Sequence, residues 1–199
     1  MAPLWPYSTP GIPDHLFEQL PGSPISKRDV RLLIIGALRL KPQARLWDLG
    51  AGTGTVVVEA ALLCPQGQVV AVERDPEVAN LIRLNCDRFQ LANVDVVEGV
   101  APDCLSTLPP HPDCVIIEGG KSMKEVVEAA WHHLPGGGRL VVTTGTLETL
   151  YGISETFAKL CIRNVEIVQP AINRLETRGN QQVFKAINPI FLLSGEKLD

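Results

Sequence analysis

The chain has 199 residues, of which 45% are hydrophobic and 20% charged, and its net charge at pH 7 is −4. This length and apolar content predict one domain with a full hydrophobic core, and no apolar run approaches membrane-spanning length. The acidic balance disfavours a nucleic-acid partner, because phosphate-binding proteins normally carry a basic surface.

The cysteines indicate a reducing compartment. Five of them are widely spaced, without a C-x-x-C pair, which predicts free thiols in a cytoplasmic protein and no metal cluster. The first residues carry neither a basic segment nor a long apolar one, so no signal peptide is predicted.

The N-terminal part differs in composition from the rest. Residues 1–25 hold six of the sixteen prolines and show little periodicity, which predicts an irregular arm ahead of a single domain over residues 26–199. Residues 26–40 carry apolar side chains at helical spacing, with Ser26 placed as the N-cap of the predicted helix.

From Ala44 onward, strand and helix patterns alternate. Apolar strands are predicted over 45–49, 68–73, 94–97, 114–117 and 139–144. Helices are predicted over 55–63, after a capping Asp75, after a capping box at 122–125 and near 147–161, and extended stretches over 165–172 and 182–193. Near-continuous apolar strands alternating with helices predict an α/β fold, a doubly wound, mostly parallel sheet with helices on both faces.

The loop after the first predicted core strand contains three glycines, Gly50, Gly52 and Gly54. Glycine permits tight turns and a close approach of ligand to backbone, and the following helix N-terminus offers free N–H groups. In an open parallel sheet, ligands bind beyond the carboxyl ends of the strands, where this loop lies. The loop therefore predicts a site for an adenosyl or nucleotide ligand.

The spacing of the glycines favours an adenosyl ligand over a dinucleotide. A dinucleotide fingerprint needs a third small residue where Thr55 or Val57 stands, so it fails in both frames. The actual pattern, Asp48-x-Gly50-x-Gly52-x-Gly54, resembles motif I of the class I methyltransferases that use S-adenosylmethionine. Glu73, which ends the second strand 19 residues beyond Gly54, supports this interpretation because a carboxylate there can accept hydrogen bonds from both ribose hydroxyls.

Regions flanking the loop carry a more specific resemblance. Residues 11–17 (Gly-Ile-Pro-Asp-x-x-Phe) and 25–31 resemble the N-terminal region of the cobalamin-biosynthesis enzymes that methylate C-15 of (cobalt-)precorrin-6B and decarboxylate its C-12 acetate. Three further segments resemble the same enzymes: the turns at 98–102 and 134–139 and the arginine-containing segment 173–179. The resemblance covers most of residues 11–195. It implies a seven-stranded class I methyltransferase fold, a decarboxylating C-methyltransferase that uses S-adenosylmethionine, and a homotetramer.

The motif and the resemblance together give the predicted cofactor site. The expected cofactor-binding residues are Ser26, Asp48, Gly50, Ala51, Gly52, Thr53, Gly54, Glu73, Val100 and Ala101. Many class I enzymes carry an acid at the position of Val100. Its absence here leaves recognition of the adenine to backbone groups of Val100 and Ala101.

A tetrapyrrole substrate bears many carboxylates, and arginine binds carboxylates bidentately. Arg174 and Arg178 are therefore the predicted substrate-binding cations, with Lys27 and Lys121 as weaker candidates. Glu118 is predicted to contact the substrate or to handle a proton. No catalytic side chain and no metal ligand is predicted, and a nucleic acid or membrane is not an expected partner.

Two alternative functions stay open at this point. An RNA or other small-molecule methyltransferase of the same fold would carry a basic face, which the acidic total disfavours. A non-catalytic module would bind S-adenosylmethionine without turnover on any tetrapyrrole. The glycine loop and Glu73 are compatible with both.

Overall fold

A seven-stranded sheet flanked by helices forms the centre of the protein. The computed structural model describes residues 3–120, 122–187 and 190–198. The strands are β1 Arg45–Leu49, β2 Gln68–Glu73, β3 Val94–Glu98, β4 Cys114–Glu118, β5 Arg139–Thr144, β6 Arg163–Val168, β7 Asn173–Arg178, β8 Gln181–Ala186 and β9 Phe191–Glu196. The α-helices are α1 Arg28–Leu38, α2 Thr55–Leu63, α3 Pro76–Arg88, α4 Met123–His133 and α5 Leu147–Lys159.

The strand order in the large sheet is β3-β2-β1-β4-β5-β9-β6. The strands from β3 to β5 pair in parallel, and β9 runs antiparallel between β5 and β6. The order reverses between β1 and β4, so the carboxyl ends of these strands flank the switch point at which such sheets bind ligands. This topology confirms the predicted α/β class and the mostly parallel sheet.

Alternate residues of the central strands supply two hydrophobic cores, one on each face of the sheet. Trp47 and Leu49 of β1 pack with residues of α4 and α5, whereas Leu46 packs with residues of α1, α2 and α3. Because both faces are covered, every residue of β5 is buried, which explains the continuous apolar runs in the sequence. Within the described ranges, no helix has both the length and the apolar character needed to cross a membrane.

Two predicted side-chain caps are wrong and one is confirmed. The N-cap of α1 is Lys27, one residue after Ser26, and it makes no side-chain cap hydrogen bond. Ser122 precedes α4 with φ 58° and ψ 38°, so it lacks the extended backbone that a capping box requires. Asp75 caps α3 as predicted and accepts two N–H hydrogen bonds, at 2.9 and 3.3 Å, from the first turn.

The last part of the chain is more divided than the two extended stretches predicted from the sequence. The prediction over 165–172 joined β6 to the segment before β7, and the prediction over 182–193 joined β8 to β9. In the structure, β7 and β8 form a separate antiparallel pair, called the hairpin below. Gly179, with φ +60°, and Asn180 form its two-residue turn. A glycine-asparagine turn between extended runs is a hairpin signal, so the sequence contained a signal for this pair, although β7 itself was not predicted.

The N-terminal arm, residues 3–25, is held against the domain by buried polar contacts. Ile12 and Phe17 are buried in a small core that they share with Val58 of α2 and Phe89, which follows α3. The backbone N–H groups of Gly11 and Ile12 donate to the carboxylate of Glu59 at 2.8 and 3.0 Å. Glu59 also pairs with the fully buried Arg31 at 2.8 Å, so one charged cluster connects the arm to α1 and α2.

Candidate active site

A cavity of about 710 Å³ lies at the carboxyl ends of β1, β4 and β5. This volume falls within the range of about 300–1,000 Å³ that is typical of small-molecule sites. Its walls come from the strand ends, the segment around the start of α1, and the hairpin. The polar and glycine-loop residues that line it include Asp14, Ser26, Lys27, Gly50, Gly52, Glu118, Thr143, Thr144, Arg174, Glu176 and Lys185.

The loop between β1 and α2 packs directly against the end of β4. Gly50 has φ +85°, and a Cβ atom added to it would lie 2.6 Å from the carbonyl oxygen of Glu118. The N–H groups of Gly50 and Ala51 both donate to the carbonyl oxygen of Val72, at 2.9 and 3.0 Å. The backbone of the loop is therefore fixed in a position that glycine alone can occupy.

Glu73 is held beside this loop by three backbone hydrogen bonds. Its Oε2 accepts the N–H of Gly52 at 3.0 Å, and its Oε1 accepts the N–H groups of Arg74 and Asp75 at 2.9 and 3.1 Å. A carboxylate has about four lone-pair sites, so these three contacts leave capacity for one further hydroxyl donor, at Oε2. The structure thus places Glu73 and the glycine loop together, as the sequence predicts.

Asp48 is fully buried on β1, immediately before the loop. Among the described residues, neither of its carboxylate oxygens has a hydrogen-bond partner, and the buried hydroxyl of Thr53 has none either. Burial first, and then the negative charges of Glu118 and Glu73, raise the pKa of Asp48 well above its ordinary value. An unpaired buried acceptor is costly, so this position suits a cationic or hydrogen-bond-donating ligand group.

Glu118 ends β4 and lines the cavity, and its Oε2 accepts a hydrogen bond from the Ser26 hydroxyl. Burial raises the pKa of Glu118 to about 7, while the Ser26 hydrogen bond and the positive charge of Arg31 oppose that rise. The pKa of this carboxyl therefore lies closer to neutral pH than that of an exposed glutamate. Ser26, predicted as a cofactor contact, lies on the same wall of the cavity.

The hairpin brings two cations to the cavity, each beside a carboxylate. Arg174 pairs with Asp29 of α1, at 2.6 Å from Nε and 2.5 Å from Nη2. Lys185, opposite Arg174 in the hairpin register, pairs with Glu176 at 3.4 Å. These pairs already supply counter-charges, so carboxylates of a ligand would compete with Asp29 and Glu176 for the same cations.

Arg178 lies outside the residues that line the cavity. Its side chain is 64% exposed at the turn end of β7, 3.8 Å from Glu176. It stands four residues beyond Arg174 on the same face of the strand, about 13 Å further along it at the usual rise per residue. A contact between Arg178 and substrate stays a prediction.

Val100 and Ala101 follow β3, next to the end of β2. The N–H of Gly99 donates to the carbonyl oxygen of Glu73 at 3.0 Å, which holds these two strand ends together. Val100 is exposed and Ala101 is partly buried, and both lie outside the cavity lining. Val100 and Ala101 therefore lie at the carboxyl end of β3, next to Glu73 at the end of β2 and outside the cavity.

Some cavity residues were not found from the sequence. Lys185 was missed because β7 was not predicted and β8 was joined to β9, although the Gly179–Asn180 turn would have placed it opposite Arg174. Thr143 and Thr144 were missed although they end a predicted parallel strand, which is where such sheets bind ligands. Lys27 lines the cavity as expected, and Lys121 lies outside the described residues.

Comparison with known families decides the relationship. The model of the precorrin methyltransferase domain matches residues 17–197. The chain belongs to this family. A precorrin methyltransferase relative from Saccharolobus solfataricus, named a probable cobalt-precorrin-6B C(15)-methyltransferase (decarboxylating), is 36% identical over 196 residues, which cover 97% of this chain and 98% of the relative.

A second curated relative and a solved crystal structure show the same relationship. The cobalt-precorrin-6B C(15)-methyltransferase (decarboxylating) of Salmonella typhimurium is 35% identical over 185 residues, covering 92% of this chain and 95% of that protein. The crystal structure of precorrin-6Y C5,15-methyltransferase from Geobacter metallireducens superposes with a TM-score of 0.88 at 32% identity, covering 94% and 98% of the two chains. Family membership and this superposition confirm the predicted class I methyltransferase fold and identify the chain as a methyltransferase.

Proposed function

We propose that this protein transfers a methyl group from S-adenosylmethionine to C-15 of cobalt-precorrin-6B or precorrin-6B and releases the carboxylate of the C-12 acetate as carbon dioxide. The observation that carries the proposal is the near-full-length similarity to relatives named for this reaction. The cavity supports it, because residues of the glycine loop and the cations Lys27, Arg174 and Lys185 line the same cavity.

The residues around the glycine loop fit S-adenosylmethionine. Asp48 is fully buried and does not line the cavity, so its unpaired carboxyl suits a contact with the cationic end of the cofactor through water. Glu73 suits a hydroxyl of the ribose, and the backbone of Val100 and Ala101 is available to the adenine. When bound, the cofactor supplies a methyl group activated by a sulfonium ion.

For methyl transfer, the task of the protein is to hold donor and acceptor in line. A carbon of the macrocycle is the nucleophile, so no side-chain nucleophile is needed. Arg174, Lys27 and Lys185 provide the positive charge that fixes the substrate carboxylates at the cavity. The macrocycle itself accepts the electron pair released by decarboxylation.

We also propose that the chain works as a homo-oligomer, a tetramer, in the cytoplasm. Leu175 and Phe184 lie opposite each other on the hairpin and are 53% and 75% exposed, which supports an intersubunit contact there. The five cysteines are free thiols, which supports a reducing compartment.

The direct test is incubation with methyl-labelled S-adenosylmethionine and either cobalt-precorrin-6B or precorrin-6B. We expect transfer of label to the tetrapyrrole together with release of carbon dioxide. The Salmonella relative serves as the positive control for substrate quality. If that control turns over the substrate and this protein does not, the proposed function is wrong.

Two substitutions separate cofactor binding from substrate binding. Glu73→Ala removes a carboxylate beside the glycine loop and is expected to weaken S-adenosylmethionine binding about 10–100-fold, the usual effect of losing charged hydrogen bonds. Arg174→Ala should leave that affinity within about twofold and raise the KM for the tetrapyrrole about tenfold.

Calorimetry measures the affinity for S-adenosylmethionine, and steady-state kinetics measures the KM for the tetrapyrrole. Glu77→Ala and Arg163→Ala, at exposed positions, are the matched controls. Equal losses of cofactor affinity in Glu73→Ala and Arg174→Ala would contradict this division.

A further inference from the structure

We propose that Glu118 is a catalytic residue that moves one proton between the two reacting carbons of the substrate. In this scheme its carboxylate takes the proton that C-15 loses on methylation and returns it to the C-12 side chain after carbon dioxide leaves. The inference rests on the proposed function and adds to it the group that connects its two reactions.

The proton balance of the two reactions requires such a transfer. In methylation, the S–CH₃ bond breaks and a C–C bond forms at C-15, using an electron pair of the ring. That pair returns to the ring when the hydrogen on C-15 leaves as a proton. In decarboxylation, the bond between the C-12 methylene and its carboxylate breaks, carbon dioxide departs, and the methylene takes up a proton to become a methyl group. One proton is released and one is consumed, with no oxidant or reductant.

The position of Glu118 suits this task. It ends β4 at the centre of the sheet, and its backbone oxygen lies against Gly50 of the glycine loop. Its side chain lines the cavity that Arg174 and Lys185 also line. Asp48, the other carboxyl at these strand ends with a raised pKa, is fully buried and does not line the cavity. Glu118 is therefore the better placed of the two to meet a substrate.

The surroundings of Glu118 bring its pKa towards neutral pH. Burial is the largest effect on its pKa and raises it to about 7. The hydroxyl of Ser26 and the charge of Arg31 on α1 favour the ionised form of Glu118, and the charge of Glu118 in turn raises the pKa of Asp48 on β1. A general acid–base group works best when its pKa lies near the operating pH. The other charged residues that line the cavity are Asp14, Lys27, Arg174, Glu176 and Lys185.

Glu118→Gln tests the proposal, because glutamine keeps the size of the side chain and can accept the Ser26 hydrogen bond but does not carry the proton. We expect the kcat for methyl transfer and the kcat for carbon dioxide release both to fall about 10²–10⁴-fold, the usual contribution of general acid–base catalysis. The Kd for S-adenosylmethionine should stay within about twofold, since Glu118 is not assigned to the cofactor. Glu118→Asp should recover part of both rates, and Glu125→Gln, an exposed carboxyl on α4, is the control.

The pH profile provides a second, independent readout. Because Glu118 begins the cycle as a base, the wild-type rate should fall as the pH drops below about 7, and Glu118→Gln should lose this inflection. Ser26 acts as a positioning residue whose hydrogen bond lowers the pKa of Glu118, so Ser26→Ala should move the inflection to higher pH. This shift tests the proposal even if Glu118→Gln does not fold.

Several outcomes would overturn the inference. They are wild-type rates in Glu118→Gln, a loss explained entirely by cofactor affinity, slowing of only one of the two reactions, and a pH inflection that survives the substitution or is unmoved in Ser26→Ala. If the wild-type protein fails to turn over the precorrin, the proposed function itself is wrong. If the wild type is active and Glu118→Gln is equally active, only the role of Glu118 is wrong.

Discussion

At the scale of single residues, the site brings together carboxyl groups whose negative charges repel one another. Asp48, Glu73 and Glu118 end or nearly end three adjacent parallel strands, and the charges of the other two raise the pKa of Asp48 further after burial. Buried, unpaired negative charge destabilises a fold unless a ligand compensates it. The free protein should therefore be less stable than its core allows, which is a common cost of a binding site.

Asp48→Asn is expected to stabilise the ligand-free protein, and increasingly so at higher pH. The folded-state pKa of Asp48 lies well above the ordinary 3.8, so folding binds a proton and stability falls as the pH rises above 3.8 towards the raised value. Asparagine removes this dependence, with a gain of about 1–3 kcal/mol at pH 8 from the relieved desolvation and little gain near pH 4. Thermal unfolding at both pH values measures it, with Asp103→Asn as the exposed control. A gain that does not vary with pH would contradict the argument.

The residues that sequence reasoning found are those whose neighbours follow from local pattern. The glycines and Glu73 are placed by the ends of two consecutive parallel strands, so their spacing alone brings them together. The hydrogen bond between Ser26 and Glu118 joins residues 92 positions apart. Such a contact depends on how the arm passes over the sheet, which no local pattern encodes.

At the scale of secondary-structure elements, the central strands could be predicted because both faces of each are buried. Their apolar runs leave little ambiguity, and β1, β2 and β5 have the predicted bounds. In contrast, every residue of β6 is exposed and the hairpin is mostly exposed, so burial gives them no clear pattern. The predicted side-chain caps of α1 and α4 were wrong because a cap depends on backbone angles that distant contacts set.

The contact between the arm and α1 should carry much of the stability of the arm. Arg31 is fully buried and donates to Glu59 at 2.8 Å, to Asp14 at 2.9 Å, and to the carbonyl oxygens of Ile12 and Ser26. These bonds tie the arm and the Ser26 segment to the helices beneath them. The cavity wall that contains Ser26 therefore depends on a buried ion cluster rather than on regular secondary structure.

Arg31→Ala is expected to destabilise the protein by about 3–5 kcal/mol, because it leaves Glu59 buried without its cation. Arg83→Ala breaks a pair of similar length, 2.9 Å to Glu98, but both partners are exposed. Its cost should be below about 1 kcal/mol, as for other surface ion pairs. Urea unfolding of the two variants and the wild type measures the difference. Similar losses of unfolding free energy in both variants would show that burial of the Arg31 cluster does not determine its contribution to stability.

At the scale of the whole molecule, the two faces of the hairpin point to different partners. Arg174, Glu176 and Lys185 line the cavity. Leu175 and Phe184 alternate with them along β7 and β8 and stand directly opposite each other, on the other face. A two-stranded hairpin has little stability of its own, so contact with another subunit would also fix the residues that face the substrate.

Phe184→Glu is therefore expected to weaken assembly and, indirectly, substrate binding. Burial of a phenylalanine contributes about 1.5–3 kcal/mol, and an unpaired carboxylate at the same contact opposes association further. In sedimentation velocity we expect the wild type to behave as a tetramer and Phe184→Glu to shift to smaller species. Tyr151→Glu, at a comparably exposed aromatic residue on α5, should sediment as the wild type does. The dissociated variant should also show a raised KM for the tetrapyrrole with an unchanged Kd for S-adenosylmethionine, because the hairpin carries Arg174 and Lys185, which are assigned to the substrate, and no residue assigned to the cofactor. A wild-type sedimentation profile in Phe184→Glu would place the contact elsewhere on the surface.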